Sequence, residues 1–278
     1  MNRILLEATT FEIQQFQIYQ NPYIIKKQEG YPNKKAIGQH KQVVKAFKNS
    51  NVIVYPVPKK RLSDIVFVAN GGLSLPRLGY PLILLPNMKY KQRKDELEYL
   101  IRIFKDIGIK TVMYPGREIF EGQAELKWFN GGLRAICGYG HRSTRETFME
   151  LDRFFQKIYG KNKPELLVVK LISPYYHLDV AMMEYDDTKC IIHKNSVTPH
   201  SLKRIKAFLG DENVTIIDTS DSFCLNAVVD GSNIITHKLS DPKIKSVIEN
   251  VTRRIVKEVN TSEFEKSGGS VRCMILDI

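Results

Sequence analysis

The stretch TRETFMELDRFFQKIY (residues 144–159), followed by LLVV (residues 166–169), decides how the rest of the chain is interpreted. Phe148, Leu151 and Phe155 recur at intervals of three and four residues, a pattern typical of an amphipathic helix. The short run after it has the length and the branched side chains of a buried strand. The two stretches together predict one helix-strand unit.

Stretches of both kinds recur along the chain at intervals of about fifty residues, a period that indicates stacked or radial supersecondary units. The helix-like stretches lie at residues 35–50, 93–107, 144–159, 199–209 and 241–251. Strand-like runs lie at residues 51–55, 65–68, 82–85, 111–114, 166–169, 214–217 and 234–236. We therefore predict five α/β units around one axis, in a single domain over residues 1–278, with polar residues meeting at the hub. A doubly wound sheet is the alternative, but the chain has no Gly-x-Gly-x-x-Gly turn.

Composition places the chain among ordinary globular proteins, with 43% hydrophobic and 26% charged residues. The apolar run near Met1 is too short for a signal peptide or a membrane span, so we expect a soluble cytoplasmic protein without a membrane partner. Its 42 Lys and Arg against 30 Asp and Glu are scattered in pairs and indicate a solvated basic surface. A nucleic-acid or acidic partner is the minor alternative. The four cysteines show no metal or disulfide spacing and are predicted to be free thiols: Cys137, Cys190, Cys224 and Cys273.

Cys273 stands between the Gly268-Gly269 turn and the apolar run Met274-Ile275-Leu276. A cysteine at the entrance of a short strand can expose its sulfur while its backbone stays anchored, which suits a nucleophile. A packed thiol is the competing interpretation. Polar residues far upstream favour the interpretation of Cys273 as a nucleophile.

Three upstream motifs carry groups that complement a nucleophilic thiol. Asn70 ends a predicted buried strand at Asn-Gly-Gly, where its amide can reach a substrate, although a simple turn explains the same residues. Glu121 and Glu125 flank Gly122 in a predicted loop, so one carboxylate can orient a histidine and the other can hold a cation. His177 and Asp179 alternate on one face of a predicted extended segment, as expected for an acid/base group beside a cation-binding carboxylate.

The loop around Gly140 adds Arg142, which can clamp a carboxylate in bidentate fashion. The other histidines have no partner that the sequence reveals: His40, His141, His193, His200 and His237.

With these motifs, the chain resembles the pentein superfamily of guanidino-group-modifying enzymes, which includes arginine deiminases, dimethylargininases, amidinotransferases and arginine dihydrolases. The resemblance covers nearly the whole length and rests on motifs in one order: Phe67-Val68-Ala69-Asn70-Gly71-Gly72, Phe120-Glu121-Gly122 with Glu125, Gly138-Tyr139-Gly140-His141-Arg142, His177-Leu178-Asp179, Phe223-Cys224-Leu225-Asn226-Ala227-Val228, and residues 263–273. It implies a five-bladed α/β propeller with the active site at its hub.

Within the superfamily, Asn70 and the Asn21-Pro22 pair resemble the arginine dihydrolase branch, where Arg93 falls at a substrate-contacting position. Two departures stand out. Glu125 stands where Asp is more usual, and Gly72 follows Gly71 where Ala-Gly or Ala-Ala is more usual.

The resemblance implies that Cys273 attacks the guanidino carbon of arginine, that His177, oriented by Glu121, is the acid/base, and that Asp179 and Glu125 hold the cationic group. Asn21, Arg93 and Arg142 are then expected at the amino-acid end of the substrate. No cofactor or metal is expected, and a homo-oligomer is left open.

Arginine dihydrolase activity is the first expectation, because the Asn70 amide suits a neutral ureido intermediate. Deiminase or dimethylargininase activity, amidino transfer, and a non-enzymatic basic binding module are the alternatives.

Overall fold

A computed structural model describes residues 2–14, 17, 20–24, 33–58 and 62–278. These residues form five three-stranded sheets that follow one another along the chain. The repeating unit that the sequence predicts is confirmed, whereas the closure of the five units into one propeller and one domain stays a prediction. None of the helices in the described ranges has the length and apolar character needed to cross a membrane.

Each sheet combines three strands with at least one helix. The first contains β1 (Asn2–Leu6), α1 (Lys34–Ala46) and β2 (Asn51–Tyr55), and its third strand comes from the end of the chain. The second contains β3 (Leu73–Ser74), β4 (Leu82–Leu85), α2 (Lys91–Lys94), α3 (Leu97–Asp106) and β5 (Lys110–Met113). The third contains β6 (Leu126–Phe129), β7 (Arg134–Tyr139), α4 (Arg145–Tyr159) and β8 (Glu165–Lys170). The fourth has α5 (Leu178–Ala181), β9 (Met182–Glu184), β10 (Cys190–His193), α6 (Pro199–Leu209) and β11 (Val214–Ile217); the fifth β12 (Val228–Asp230), β13 (Asn233–His237), α7 (Pro242–Thr252) and β14 (Ile255–Val259). The chain then forms α8 (Ser262–Glu265) and β15 (Leu276–Asp277).

The same connection recurs in every sheet. An antiparallel pair is followed by a helical crossover to a parallel third strand, as in β6, β7 and β8. Parallel strands need such a crossover, because a tight turn cannot return the chain in the same direction. Four crossover helices, α1, α4, α6 and α7, begin with a side-chain cap, such as Thr144 before α4 and Thr198 before α6.

The first sheet differs because its antiparallel strand comes from the other end of the chain. β15 pairs with β1, with Leu276 opposite Ile4, and β1 pairs in parallel with β2. The two ends of the chain therefore lie in one sheet. This pairing fixes the position of Cys273, which lies three residues before β15 in a 3-10 turn over Arg272–Met274.

Two local predictions are wrong. Residues 65–68 were expected to form a strand, but they lie in turns that lead into a 3-10 turn over Val68–Gly71. The run is apolar because Ile65 and Val68 pack into one core cluster and Val66 and Phe67 into another. An apolar run buried on both sides has no periodicity that distinguishes a strand from a turn.

The segment at His177 was likewise expected to be extended. His177 has extended dihedral angles, but Leu178 begins the one-turn helix α5, which places Asp179 in a helical conformation. The two side chains therefore reach one site through a helical turn and not through strand alternation.

Candidate active site

Polar side chains occupy an equivalent place in all five sheets, just before the antiparallel edge strand. Asn70 precedes β3, Glu125 precedes β6, Asp179 precedes β9, Asn226 precedes β12 and Cys273 precedes β15. The repeat thus supplies one polar group from each unit. Contacts among these groups bring the units together at one site.

The thiol of Cys273 is buried between an amide and a carboxylate. Asn226 Nδ2 donates to Cys273 Sγ at 3.1 Å, and Sγ donates to Asp179 Oδ2 at 3.3 Å. Asn226 Oδ1 accepts from the backbone amide of Arg272 at 3.0 Å, which ties Asn226 to the turn that carries the thiol. Burial and the Asp179 carboxylate raise the pKa of Cys273 well above its usual value. The group is therefore a thiol at neutral pH.

The imidazole of His177 lies among two carboxylates and an amide. Its Nε2 is 2.9 Å from Glu121 Oε2, 3.8 Å from Glu125 Oε1 and 3.4 Å from Asn70 Nδ2. Burial lowers the pKa of His177, and Glu121 opposes that shift. An imidazole that is neutral yet paired with a carboxylate can accept and return a proton, as an acid/base catalyst must.

A glycine packs Glu121 against the Asn70 turn. Gly122 has φ +64°, and a Cβ there would lie 2.6 Å from the Gly72 carbonyl oxygen and 2.9 Å from that of Asn70. Only glycine allows this combination of left-handed backbone and close approach. The Gln123 amide donates to the same Gly72 oxygen at 2.9 Å, so the two turns are held in register.

Arg142 contacts Glu121, in a position different from the expected clamp on a substrate carboxylate. Its Nη1 donates to Oε2 at 3.0 Å and to Oε1 at 3.2 Å, and its guanidinium lies over the rings of Tyr90 and Tyr176. Burial would raise the pKa of Glu121, but Arg142 and His177 hold it well below its usual value. Glu121 is therefore a carboxylate throughout the physiological pH range.

Glu125 differs from Glu121 in the direction in which its surroundings shift its pKa. Burial and the neighbouring Glu121 charge raise the pKa of Glu125 well above its usual value. Ser143 Oγ donates to its Oε2, while the buried Oε1 has no hydrogen-bond partner among the described residues. Asp179 Oδ1 is likewise buried without a partner in the part of the chain that the structure describes. Two carboxylate oxygens are thus available to hydrogen-bond donors of a bound cation.

A cavity at the site is lined by residues from most of these segments, namely Gln20, Asn21, Ile24, Asp64, Phe67, Asn70, Tyr90, Arg93, Arg142, Tyr176, His177, Ser267 and Cys273. The cavity brings Cys273 and His177 together, as the sequence predicts. It also places the predicted residues Asn21, Asn70, Arg93 and Arg142 beside them.

The guanidinium of Arg93 is largely engaged with the protein. Its Nε and Nη2 bond Glu96, and Nη2 also donates to the carbonyl oxygens of Asp64 and Phe67 at 3.1 Å. Asn21 Nδ2 donates to the Ser267 carbonyl oxygen at 3.0 Å, which fixes its side chain at the cavity wall. Both residues line the cavity with most of their polar atoms engaged by the protein, and Arg93 Nη1 lies outside these contacts.

Glu121, Glu125 and His177 are the described residues whose donor atoms could hold a metal ion, since these atoms lie within 4.8 Å of one another. Glu121 is already paired with both Arg142 and His177. The unpartnered oxygens of Glu125 and Asp179 suit an organic cation that carries several N–H donors. A planar guanidinium has this character.

Several residues of the site had no role predicted from the sequence, among them Asn226 and Asp64. Asn226 belongs to the motif at residues 223–228, and it occupies in the fifth unit the place that Asn70 and Asp179 occupy in theirs. Asp64 lines the cavity and accepts from Gln17 Nε2 at 2.7 Å. Asp64 directly precedes residues 65–68, which were predicted as a strand and lie in turns, so nothing in the sequence indicated that its side chain lies in the site.

Known proteins resemble the chain in sequence. A family model described as N,N dimethylarginine dimethylhydrolase, eukaryotic, matches residues 2–278. The N(G),N(G)-dimethylarginine dimethylaminohydrolase of Mycobacterium tuberculosis is 26% identical over 227 residues, which span 80% of this chain and 68% of that protein. The bifunctional arginine dihydrolase/ornithine cyclodeaminase AgrE of Nostoc is 25% identical over 247 residues, which span 88% of this chain and 33% of that protein.

Solved structures share the fold. The product-bound N-terminal domain of ArgZ, an arginine dihydrolase of cyanobacteria, matches with a TM-score of 0.85 at 22% identity, covering 99% of this chain and 96% of that domain. The family match over residues 2–278 shows that the chain belongs to the N,N dimethylarginine dimethylhydrolase family, a pentein family of hydrolases that act on the C–N bonds of guanidino groups.

Proposed function

We propose that the protein is an arginine dihydrolase, which converts arginine and two water molecules into ornithine, two ammonia molecules and carbon dioxide. The observation that carries the proposal is the Asn70 amide, whose Nδ2 lies 3.4 Å from both Glu121 Oε2 and His177 Nε2. A neutral amide at the acid/base centre can bind a neutral ureido group, which a carboxylate would accept less well than a cation. The names of AgrE and ArgZ support the same reaction.

The first half of the reaction begins with the guanidinium between Glu125 and Asp179. Sγ of Cys273 bonds to the guanidino carbon, and His177 transfers the thiol proton to the departing nitrogen, which leaves as ammonia. The product of this step is a cationic thiouronium on Cys273. Water that His177 deprotonates then attacks the same carbon, and the thiol is released together with citrulline.

The second half repeats the attack on the ureido carbon of citrulline, which the Asn70 amide holds in place. A C–N bond breaks, the second ammonia leaves, and a thiocarbamate remains on Cys273. Water cleaves the thiocarbamate to a carbamic acid, which loses carbon dioxide and leaves ornithine. Two waters enter and two ammonia molecules leave, so atoms and charge balance.

Substrate binding also ionises the nucleophile. The pKa of Cys273 is high because the thiol is buried beside Asp179. A cation that arrives between Asp179 and Glu125 reverses the local field and stabilises the thiolate. In the first half of the reaction, the bound guanidinium therefore promotes formation of the thiolate that attacks it.

We assign the amino-acid end of the substrate to the cavity-lining residues Asn21, Arg93 and Arg142. Arg142 remains paired with Glu121, and Arg93 uses Nη1, the guanidinium nitrogen outside its contacts with Glu96 and the two carbonyls. Charge-assisted hydrogen bonds from these arginines to the substrate carboxylate offset the hydration that the carboxylate loses on binding.

Dimethylarginine dimethylaminohydrolase activity is the second candidate, because the family model that matches residues 2–278 carries that description. It uses the same thiol, imidazole and carboxylates, but it releases dimethylamine and stops at citrulline.

A substrate panel with product identification separates the candidates. Arginine, methylated arginines, agmatine and citrulline are incubated with the purified protein, and ammonia, amines, citrulline and ornithine are quantified. Two ammonia molecules and one ornithine per arginine support the dihydrolase. One ammonia with accumulating citrulline identifies a deiminase, and methylamine release from methylated arginine identifies the second candidate.

A further inference from the structure

A second buried histidine lies between two carboxylates outside the cavity. His237, at the end of β13, places Nε2 2.9 Å from Asp221 Oδ1 and Nδ1 3.3 Å from Glu265 Oε1. The side chains of His237 and Asp221 are only 6% and 3% exposed. The geometry is that of an ion pair on each ring nitrogen and not of aligned hydrogen bonds. The sequence revealed no partner for His237, and the structure corrects this, since neither acid is adjacent to it along the chain.

The first carboxylate anchors the loop that ends at Asn226. Asp221 Oδ1 accepts from the Phe223 amide at 3.2 Å, and Oδ2 accepts from the amide and hydroxyl of Ser240. The backbone N–H of Asn226 donates to the Phe223 carbonyl oxygen at 2.9 Å, which closes the turn. Asp221 thus fixes the turn whose last residue donates to Cys273 Sγ.

The second carboxylate anchors the loop that leads to Cys273. Glu265 Oε1 accepts from Thr261 Oγ1 at 2.7 Å, and Thr261 Oγ1 lies 2.8 Å from Ser270 Oγ. The Glu265 carbonyl oxygen accepts from the Gly268 amide at 2.9 Å. A backbone hydrogen bond from Ser270 to the Cys273 thiol lowers the pKa of that thiol, against the larger effects of burial and Asp179.

We propose that His237 is a positioning residue for the nucleophile, a buried imidazole that joins the Asn226 loop to the loop bearing Cys273. The proposal rests on the proposed function, because it assigns the nucleophile to Cys273. Through Asp221, His237 fixes the position from which Asn226 donates to the sulfur of Cys273. Through Glu265, it fixes the position of the Ser270 backbone beside the same sulfur. Reacting groups in an active site must be held in place by supporting contacts. Among the described residues, the ion pairs of His237 are the only ones that join these two loops.

The charge state of His237 agrees with this role. Although burial opposes protonation, Asp221 and Glu265 raise the pKa of His237 to about 9, so an imidazolium separates two carboxylates at neutral pH. The ring of Phe223 also faces it, edge to face at 6.4 Å. Without the cation, two carboxylates would repel each other across the gap between the loops.

The test compares His237→Gln with His193→Gln. His193 ends β10, the equivalent strand of the fourth sheet, and is also buried, with Nε2 2.7 Å from the Thr219 carbonyl oxygen. The measurements are kcat, KM, thermal unfolding and the rate at which iodoacetamide alkylates Cys273 without substrate, followed by peptide mass spectrometry.

We expect His237→Gln to lower kcat about 10- to 100-fold with KM within about threefold, since a misplacement of about 1 Å can cost 100-fold. The alkylation rate of Cys273 should change at least about threefold, because Asn226 and Ser270 no longer bond the sulfur in one geometry. His193→Gln should leave kcat and the alkylation rate within about twofold, even if both variants unfold at lower temperature. A His237→Gln variant that matches His193→Gln in both rates overturns the proposal.

Glu265→Gln keeps the test decisive if His237→Gln does not fold. It retains the His237–Asp221 pair and the side-chain volume, and the Glu265 side chain is 27% exposed. We expect a smaller change of kcat and alkylation in the same direction, and an unchanged alkylation rate would contradict the role of His237. Alkylation needs no turnover, so it still tests His237 if the wild-type protein fails to act on arginine and the proposed function falls.

Discussion

The replacement Asn70→Asp tests the second hydrolytic step, because it puts a carboxylate where the amide contacts both Glu121 and His177. Asn70 Nδ2 lies 3.4 Å from an oxygen of Glu121. Two unit charges at that distance repel by about 5 kcal/mol at an effective dielectric constant of about 20, which corresponds to roughly three to four pKa units. The variant must therefore bind an extra proton at this pair or hold His177 as an imidazolium.

Either outcome favours the cationic substrate over the neutral ureido compound. We expect Asn70→Asp to accumulate citrulline from arginine and to release one ammonia per arginine, where the wild type releases two and forms ornithine. Citrulline supplied directly should be consumed at least about 100-fold more slowly, because a carboxylate replaces the donor that holds the ureido oxygen.

The assay quantifies citrulline, ornithine and ammonia by mass spectrometry and an enzymatic ammonia readout over one time course. Asn213→Asp is the control, since it adds the same charge at a partly exposed turn outside the cavity. If Asn70→Asp still forms ornithine from citrulline at the wild-type rate, the role assigned to the amide is wrong.

Four further changes have outcomes that follow from the geometry. Cys273→Ser should reduce turnover by at least about 1000-fold without lowering the unfolding temperature, because an alcohol replaces the sulfur nucleophile; activity within tenfold of the wild type would reject the nucleophile. Asp179→Asn should speed the alkylation of Cys273 at pH 8 while abolishing turnover, since the carboxylate 3.3 Å away raises the pKa of the thiol; slower alkylation would contradict this. Glu121→Gln should cost about 3–5 kcal/mol in urea unfolding, because it leaves the Arg142 guanidinium buried without its partner; a loss below about 1 kcal/mol would oppose this pairing. The pKa of His237 is raised in the folded protein to about 9, so its contribution of about 3 kcal/mol is complete below pH 6.5 and is lost as pH rises through 9; the stability difference between wild type and His237→Gln should shrink across that window, and a constant difference would refute the linkage.

The repeating unit could be predicted from the sequence because the helices show their periodicity directly. The helix predicted at residues 199–209 is α6 as the structure has it, and the prediction at residues 144–159 differs from α4 by one residue. Short strands without such a signal were missed, among them β6 and β9. A strand of three or four residues gives too few alternations to separate it from a turn.

The candidate site was predicted less completely, since its contacts join segments far apart in the chain. Cys273, His177 and Glu121 were identified by residue type and local motif, and the structure places Cys273 and His177 in one cavity with Glu121 against His177. The pairing of Arg142 with Glu121 could not be predicted, because it depends on how two turns pack around Gly122. The role of Asn226 was missed for a similar reason, since it depends on a contact with Cys273, which lies 47 positions away along the chain.

Whether Cys273 attacks the guanidino carbon is tested most directly by peptide mass mapping after arginine is mixed with the protein and quenched in acid within milliseconds. We predict an added mass equal to arginine less ammonia on the peptide that contains Cys273. An adduct on the peptides of Cys137, Cys190 or Cys224, or consumption of arginine with Cys273 unmodified at every time point, would contradict this assignment.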